Sequence, residues 1–419
     1  MTSEAPVPTP ISDPPRKIAR LLHTAAPNQA TVSLANLAVV VLSARMLPPG
    51  AFGLFVSVQL AVLFCVGVVN ASVLMPIVSD PTVDPTRPVA EARRVVLLIG
   101  TGGLVVAVAA SFVLTGELRV AVLATGLVLP GCLYWDAVRM HYQGRSDYLR
   151  LLPGDLIAAL VMVGWVAATV LLEQGSLVTM LGLGAGPWAA CLVVLPPWSA
   201  RWTSWRRPWP RRVSANLAGD YVIATGLDQL LTLLTAVFLS TVALGGLRLA
   251  QSALGPVATL AIALNYTVLP RLRDLELTPS GKLRWASKRF GALAGLALAI
   301  GVGLTLLPVS VGQSIVGDAW AISAPVVLAV AVYAAASALG HAATLTMLIS
   351  GASGMLLAVR MVSAPVVTAV CVLVLTRHEL VLYAWAAAGL LVLITAVLFI
   401  MAARCDRRVP DATGGRDEN

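Results

Sequence analysis

The chain has 419 residues, of which 58% are hydrophobic and 12% charged, and its formal net charge is +9. Soluble domains carry about 25% charged residues, so an ordinary soluble globular protein is excluded. In a soluble protein the cationic excess would suggest nucleic acid; here it reads as membrane topology, aided by anionic lipid head groups.

In chain order, residues 1–24 are polar and Pro-rich without a signal-peptide core, and are expected to form a disordered cytoplasmic tail. Apolar stretches then predict helices over 25–46, 51–77, 94–115, 119–141, 149–172 and 176–199, which make an N-terminal lobe spanning 25–200. A basic cytoplasmic linker follows at 201–213. Helices over 214–240, 244–270, 289–310, 319–349, 355–376 and 379–403 make a C-terminal lobe spanning 214–403, and 404–419 reads as a second cytoplasmic tail. Each stretch is long enough to cross a bilayer, so the fold class is an all-α polytopic membrane protein with about 12 transmembrane helices.

The charges agree with this count. Of the 29 Lys and Arg residues, 25 fall in alternate gaps between helices, from Arg16, Lys17 and Arg20 to Arg404, Arg407, Arg408 and Arg416. Cytoplasmic loops retain cations, which puts both termini in the cytoplasm of a protein in the cell (cytoplasmic) membrane. The opposite gaps hold only Arg45, Arg119, Arg248 and Arg377.

Enzyme chemistry finds little support. The exterior loops run near 47–50, 116–118, 173–175, 241–243, 311–318 and 377–378, too short for a catalytic loop. There is no P-loop and no GxSxG. Gly182-Leu-Gly-Ala-Gly186 follows no predicted strand and reads as small residues for close helix packing. Cys65, Cys132, Cys191, Cys371 and Cys405 are scattered singly. That pattern indicates neither a metal site nor a disulfide framework. No catalytic residue and no cofactor is expected.

An internal repeat is visible. Asn70-Ala-Ser-Val-Leu-Met-Pro76 ends the second helix and Asn265-Tyr-Thr-Val-Leu-Pro270 ends the eighth. Six spans between the copies give the halves the same orientation. Two six-helix lobes related by a parallel pseudo-twofold repeat follow, with a substrate path between them.

The run from Asn36 through Ala44-Arg45-Met-Leu-Pro-Pro-Gly-Ala-Phe52-Gly53-Leu-Phe55 resembles the start of polysaccharide (O-antigen type) flippases. In that family a helix ending in Ala-Arg-x-Leu precedes a short turn and an aromatic-Gly-Leu-aromatic signature. The turn here is Pro48-Pro49, without an acid. The family belongs to the multidrug/oligosaccharidyl-lipid/polysaccharide exporter superfamily, which also holds multidrug antiporters. The resemblance implies twelve helices, a lipid-linked glycan substrate, membrane lipids as surroundings, and a glycan polymerase and glycosyltransferases as partners. Nucleic acid is not among them.

Polar residues inside spans are costly, so they mark candidate sites. In the seventh helix Asn216, Asp220, Asp228, Thr232 and Thr235 share one stripe; Asp228 and Asp220 are candidates for binding a coupling ion. In the tenth, Tyr333, Ser337, His341 and Thr344 share another, and Asn36 lies on a comparable face of the first. Asp136 and Arg139, three residues apart, are expected to pair. Arg45 and Arg248 occupy roughly corresponding repeat positions. Each suits phosphate oxygens through paired donors, or simply snorkels to the interface. The expected substrate-contacting set is Arg45, Arg248, Asn36, Asn265, Tyr333 and His341. The function expected is flipping of a lipid-diphosphate-linked oligosaccharide or polysaccharide precursor by alternating access. An ion-coupled multidrug or metabolite antiporter, or a non-transport membrane scaffold in glycan assembly, are the alternatives.

Overall fold

The computed structural model describes residues 14–74, 86–144, 147–194, 218–219, 221–350 and 352–405. Among them the secondary structure is helical and no strand occurs. The N-terminal lobe comprises α1 (Pro14–Met46), α2 (Pro49–Val69), α3 (Thr86–Ser111), α4 (Gly116–Gly144), α5 (Tyr148–Leu171) and α6 (Ser176–Val193). The C-terminal lobe begins with α7, made of a π-helical turn Val222–Gly226 and Leu227–Phe238. It continues with α8 in two pieces (Thr241–Ala253 and Gly255–Asp274), α9 (Pro279–Thr305), α10 (Ala319–Ile349), α11 (Ser353–Leu375) and α12 (Leu380–Arg404). Among the described residues, nine helices are long and apolar enough to cross a membrane. The described apolar parts of α1 and α7 are shorter, and α8 is split at Leu254, which accounts for twelve passes.

Local chemistry explains the helix ends. Ser240 accepts the Ala243 amide and Thr278 accepts the Gly281 amide, each satisfying a donor at a helix start. Pro49 and Pro279 open α2 and α9, where a missing N–H costs nothing. Hydroxyls inside spans return to their own helix: Thr101 to the Leu97 carbonyl, Thr125 to Ala121, Thr169 to Trp165. Polarity that hydrocarbon could not satisfy is thereby removed. Apolar side chains such as Leu160, Leu192, Val362 and Leu393 project outward, each at least 61% exposed.

The repeat organises packing. In the first lobe α1 packs on α5, α2 on α4, α3 on α4, α4 on α6 and α5 on α6. The second lobe reproduces every pair six helices later, α7 on α11 through α11 on α12. Between lobes, α2 lies along the first half of α8, and α1 along both halves. Val40, Ala44, Phe52, Val56 and Leu60 join Leu231, Leu244 and Leu247 in one apolar cluster that bridges them.

Several expected boundaries move. Helix α1 starts at Pro14 instead of 25, and a proline is well suited to a first helical turn. The expected loop at 311–318 contains a short helix, Val309–Val316, initiated after Pro308. Pro256 lacks the amide that would continue α8, so the helix breaks at Leu254 and restarts. Residues 1–13, the linker 201–213 and the tail after Cys405 lie outside the described residues.

Candidate functional site

Arg93, Arg139, Arg150, Arg289 and Arg404 mark alternate helix ends, which together form the basic end of the molecule. Midway between it and the opposite end, the C-terminal lobe holds a partly buried polar network. Tyr333 of α10 donates a 2.7 Å hydrogen bond to Asp228 Oδ1 of α7. Thr232, one turn along α7, returns its hydroxyl to the Asp228 carbonyl at 2.9 Å. It also receives a long 3.5 Å contact from Gln251 of α8, which in turn accepts Arg248 Nη1 at 3.5 Å. Tyr383 of α12 lies beside Thr232 and is 4% exposed. Arg248 lies within electrostatic range of Asp228 without forming an ion pair, and its buried Nε has no hydrogen-bond partner. A donor of that kind is ready for an incoming acceptor.

The N-terminal lobe contributes Asn36. Ser33 hydrogen-bonds Thr259 of α8, and Val40 joins the bridging apolar cluster, so the stripe Ser33–Asn36–Val40 faces the other lobe. Asn36 is nevertheless exposed. Leu34 and Ala38 are exposed on the far side of the same helix, roughly 160–200° away at about 100° per residue. Asn36 therefore borders open space between the lobes. Antiparallel α8 brings its break near this level, and a Cβ added at Gly255 there would meet nothing within 4 Å. On α2, Gln59 is 6% exposed with its Oε1 unpartnered, halfway between two lobe-to-lobe contacts.

Those contacts close both ends. Toward the opposite end, a side chain on Gly53 would overlap the Thr241 carbonyl, and Phe52 lies over Gly245. Toward the basic end, Tyr221 of the second lobe seats its hydroxyl over Gly67, and Phe64 packs on Gly226.

The expected site residues thus separate into groups. Asp228, Tyr333 and Arg248 come together and Asn36 faces the inter-lobe space. Asn265 and His341 meet each other at 3.2 Å, with His341 stacked 6.0 Å from Phe290. That pair sits about 12 Å along α10 from Tyr333, toward the basic end. Arg45 is exposed at the opposite end, where it donates to the Ser314 carbonyl at 2.7 Å and the Ile315 carbonyl at 3.4 Å. Asp220 lies outside the described residues. Asp136 does not pair with Arg139: Asn70 donates to it at 2.8 Å, and Arg139 reaches Asp155 of α5 at 3.4 Å. A carboxylate facing Arg139 across the helix interface outcompetes one on its own helix. Gln251, Tyr383 and Gln59 were not among the expected residues; Gln251 sits three residues after Arg248, a spacing that places both on one face.

The sequence matches no protein-family model and no curated protein. Solved structures do match. The lipid II flippase MurJ in an inward closed conformation is 10% identical, with a TM-score of 0.67, over 90% of this chain and 86% of that one. A multidrug/oligosaccharidyl-lipid/polysaccharide exporter superfamily transporter from Pyrococcus furiosus, described by the reverse polarity of its binding pocket, is 13% identical. It scores 0.58 over 94% of this chain and 96% of that one. A mutant of the Vibrio cholerae MATE transporter VcmN is 11% identical and scores 0.60 over 93% and 97%. This chain is a multi-pass membrane protein with the twelve-helix, two-lobe fold that a lipid flippase and multidrug transporters share.

Proposed function

We propose that the protein is a transporter that flips a lipid-diphosphate-linked oligosaccharide or polysaccharide precursor across the cytoplasmic membrane by alternating access. Both termini and the basic end lie in the cytoplasm in this reading. The observation that carries it is the buried, unpartnered Nε of Arg248. The network's cation has a donor to spare, while its carboxylate already holds Tyr333 and attracts Arg248. A site with spare cationic donors and flanking amides, Asn36 and Gln59, suits phosphate and sugar oxygens better than an organic cation.

The mechanism follows from competition for Arg248. With Asp228 ionised, the guanidinium is drawn toward the carboxylate. A proton or cation on Asp228 weakens that attraction and releases Arg248 to a substrate diphosphate between the lobes. Closure at Gly67 and Tyr221 then exchanges with closure at Gly53 and Thr241. Asn265 and His341 line the basic-end path, and Asp220 stands eight residues before the coupling carboxylate in the sequence. Membrane lipids surround the protein, with glycosyltransferases and a glycan polymerase before and after it in glycan assembly.

In proteoliposomes, the protein is expected to expose a fluorescent lipid-linked sugar to an external sugar-cleaving enzyme. Arg248→Gln should slow this at least tenfold at unchanged thermal stability. An unchanged rate would remove Arg248 from the substrate path. The antiporter reading draws on Asp228, a carboxylate with capacity left beyond Tyr333. It would be favoured if the liposomes instead showed proton-driven efflux of an organic cation and no movement of the lipid.

A further inference from the structure

The repeat relates α7 and α11 to α1 and α5, yet the two pairs do not pack alike. In the first lobe α1 runs in close contact along α5. In the second, α7 and α11 part to leave an apolar groove of about 760 Å³ lined by Ile223, Leu227, Met361, Pro365, Thr368 and Ala369. That volume lies within the roughly 300–1,000 Å³ of small-ligand pockets. The only hydroxyl among these residues, Thr368, is spent on the Ala364 carbonyl at 2.8 Å, so the lining offers no free polar group. Helix α11 is correspondingly peripheral: 6% of its apolar window is buried, against 28% for α5, its repeat counterpart.

The groove adjoins the polar network on both walls. On α7, Leu227 lines the groove and the next residue is Asp228. On α11, Val372 lines it, while the preceding Cys371 is buried within electrostatic range of Asp228. The groove also lies where α7 opens into its π-helical turn, Val222–Gly226, whose Val222 and Ile223 form its lip. A π turn of this kind widens a helix locally and recurs at functional sites. We propose that this groove holds the hydrocarbon chain of the transported lipid while its diphosphate head reaches Arg248 and Asp228 between the lobes. The inference rests on the lipid-linked substrate proposed above. It adds that the tail leaves the protein laterally between α7 and α11. A site with one open apolar side and one enclosed polar side needs a ligand built the same way.

Two measurements test it. The first is labelling of the full-length protein in liposomes with a polyprenyl phosphate carrying a photoreactive group on its chain. Label is expected on peptides covering 222–227 and 361–372 and is expected to fall at least tenfold in Ala369→Trp. Label elsewhere, or equal labelling by a photoreactive phosphatidylcholine, would overturn the proposal, because the groove would then hold only bulk lipid. The second is the rate of flipping. Ala369→Trp should slow a long-chain lipid-linked sugar at least tenfold while a two-isoprene analogue crosses at the wild-type rate; equal rates for the long chain would overturn it. If the tryptophan variant unfolds, Ala369→Leu is measured in its place, with a smaller loss of label expected. Groove labelling in a wild-type protein that moves no lipid-linked sugar would sink the flippase reading and leave the lipid-chain site standing.

Discussion

Asp228 receives one 2.7 Å bond from Tyr333, although a carboxylate can accept about four donors, and its nearest cation stops short of ion-pair contact. An incompletely satisfied carboxylate in the middle of a bilayer is costly unless function retains it. The phenol and the carboxylate therefore act as one unit, and a double-mutant cycle should show it. Tyr333→Phe and Asp228→Asn should each slow transport, and the pair together should cost little more than Asp228→Asn alone. In thermal stability the coupling is expected at about 0.6 kcal/mol and no more than about 1.7, the average and maximum for hydrogen bonds between membrane helices. Additive losses would mean that Tyr333 serves packing alone. Asp228, Tyr333 and Arg248 were legible in the sequence because polar residues stand out within apolar runs. Tyr383, Gln251 and Cys371 were not, since their membership depends on where α12, α8 and α11 meet. The same limit misassigned Arg139: spacing along α4 pointed to Asp136, but Asp155 comes from a different helix.

At the scale of the helix, α2 is the element on which both closures converge. Its two close-contact glycines differ in what they face. A Cβ on Gly53 would strike the Thr241 backbone, which cannot move without the helix, whereas one on Gly67 would strike the tip of the Tyr221 side chain, which can swing away. Gly53→Ala is thus expected to separate the lobes at the opposite end, and Gly67→Ala to release the basic end with less loss of stability. A cysteine placed at Asn36 reports this. With a membrane-impermeant maleimide, Gly53→Ala should raise labelling at least threefold from the opposite side, and Gly67→Ala should do so from the basic side. Labelling unchanged from both sides would show that these contacts do not gate the space at Asn36. The spans themselves were legible because bilayer thickness imposes a length of about 20 apolar residues. Their interruptions were less so. The stretch 244–270 read as one helix although Pro256 interrupts it, and no residue type marks the π turns at Asn70–Leu74 and Val222–Gly226.

At the scale of the whole molecule, the proposed alternating access separates the lobes at one end while closing them at the other, and Arg45 is placed to bias that balance. It ends α1 in the first lobe and donates to Ser314 and Ile315 carbonyls at the C-terminus of Val309–Val316, a helix of the second. Those carbonyls have no partner within a helix that stops there, and a cation suits the negative end of the helix dipole. The backbones meet there too: a Cβ added at Gly317, at φ +80, would lie 3.3 Å from the Arg45 Cα, and a side chain at that position would be strained. Because Arg45 is exposed, the bond contributes on the order of 1 kcal/mol, which is about a fivefold bias toward closure of the opposite end. This role and a phosphate-binding role predict different outcomes for Arg45→Ala. A clasp predicts about fivefold faster labelling of Asn36→Cys from the opposite side, with the affinity for lipid-linked sugar little changed when the closed state is not the binding state. A phosphate ligand predicts weaker binding of diphosphate-bearing lipid with labelling unchanged. Measuring both in one liposome preparation decides between them, and Arg45→Lys sharpens the result. Lysine keeps the charge but has no paired donors, so it should restore part of the closure and none of a bidentate phosphate contact.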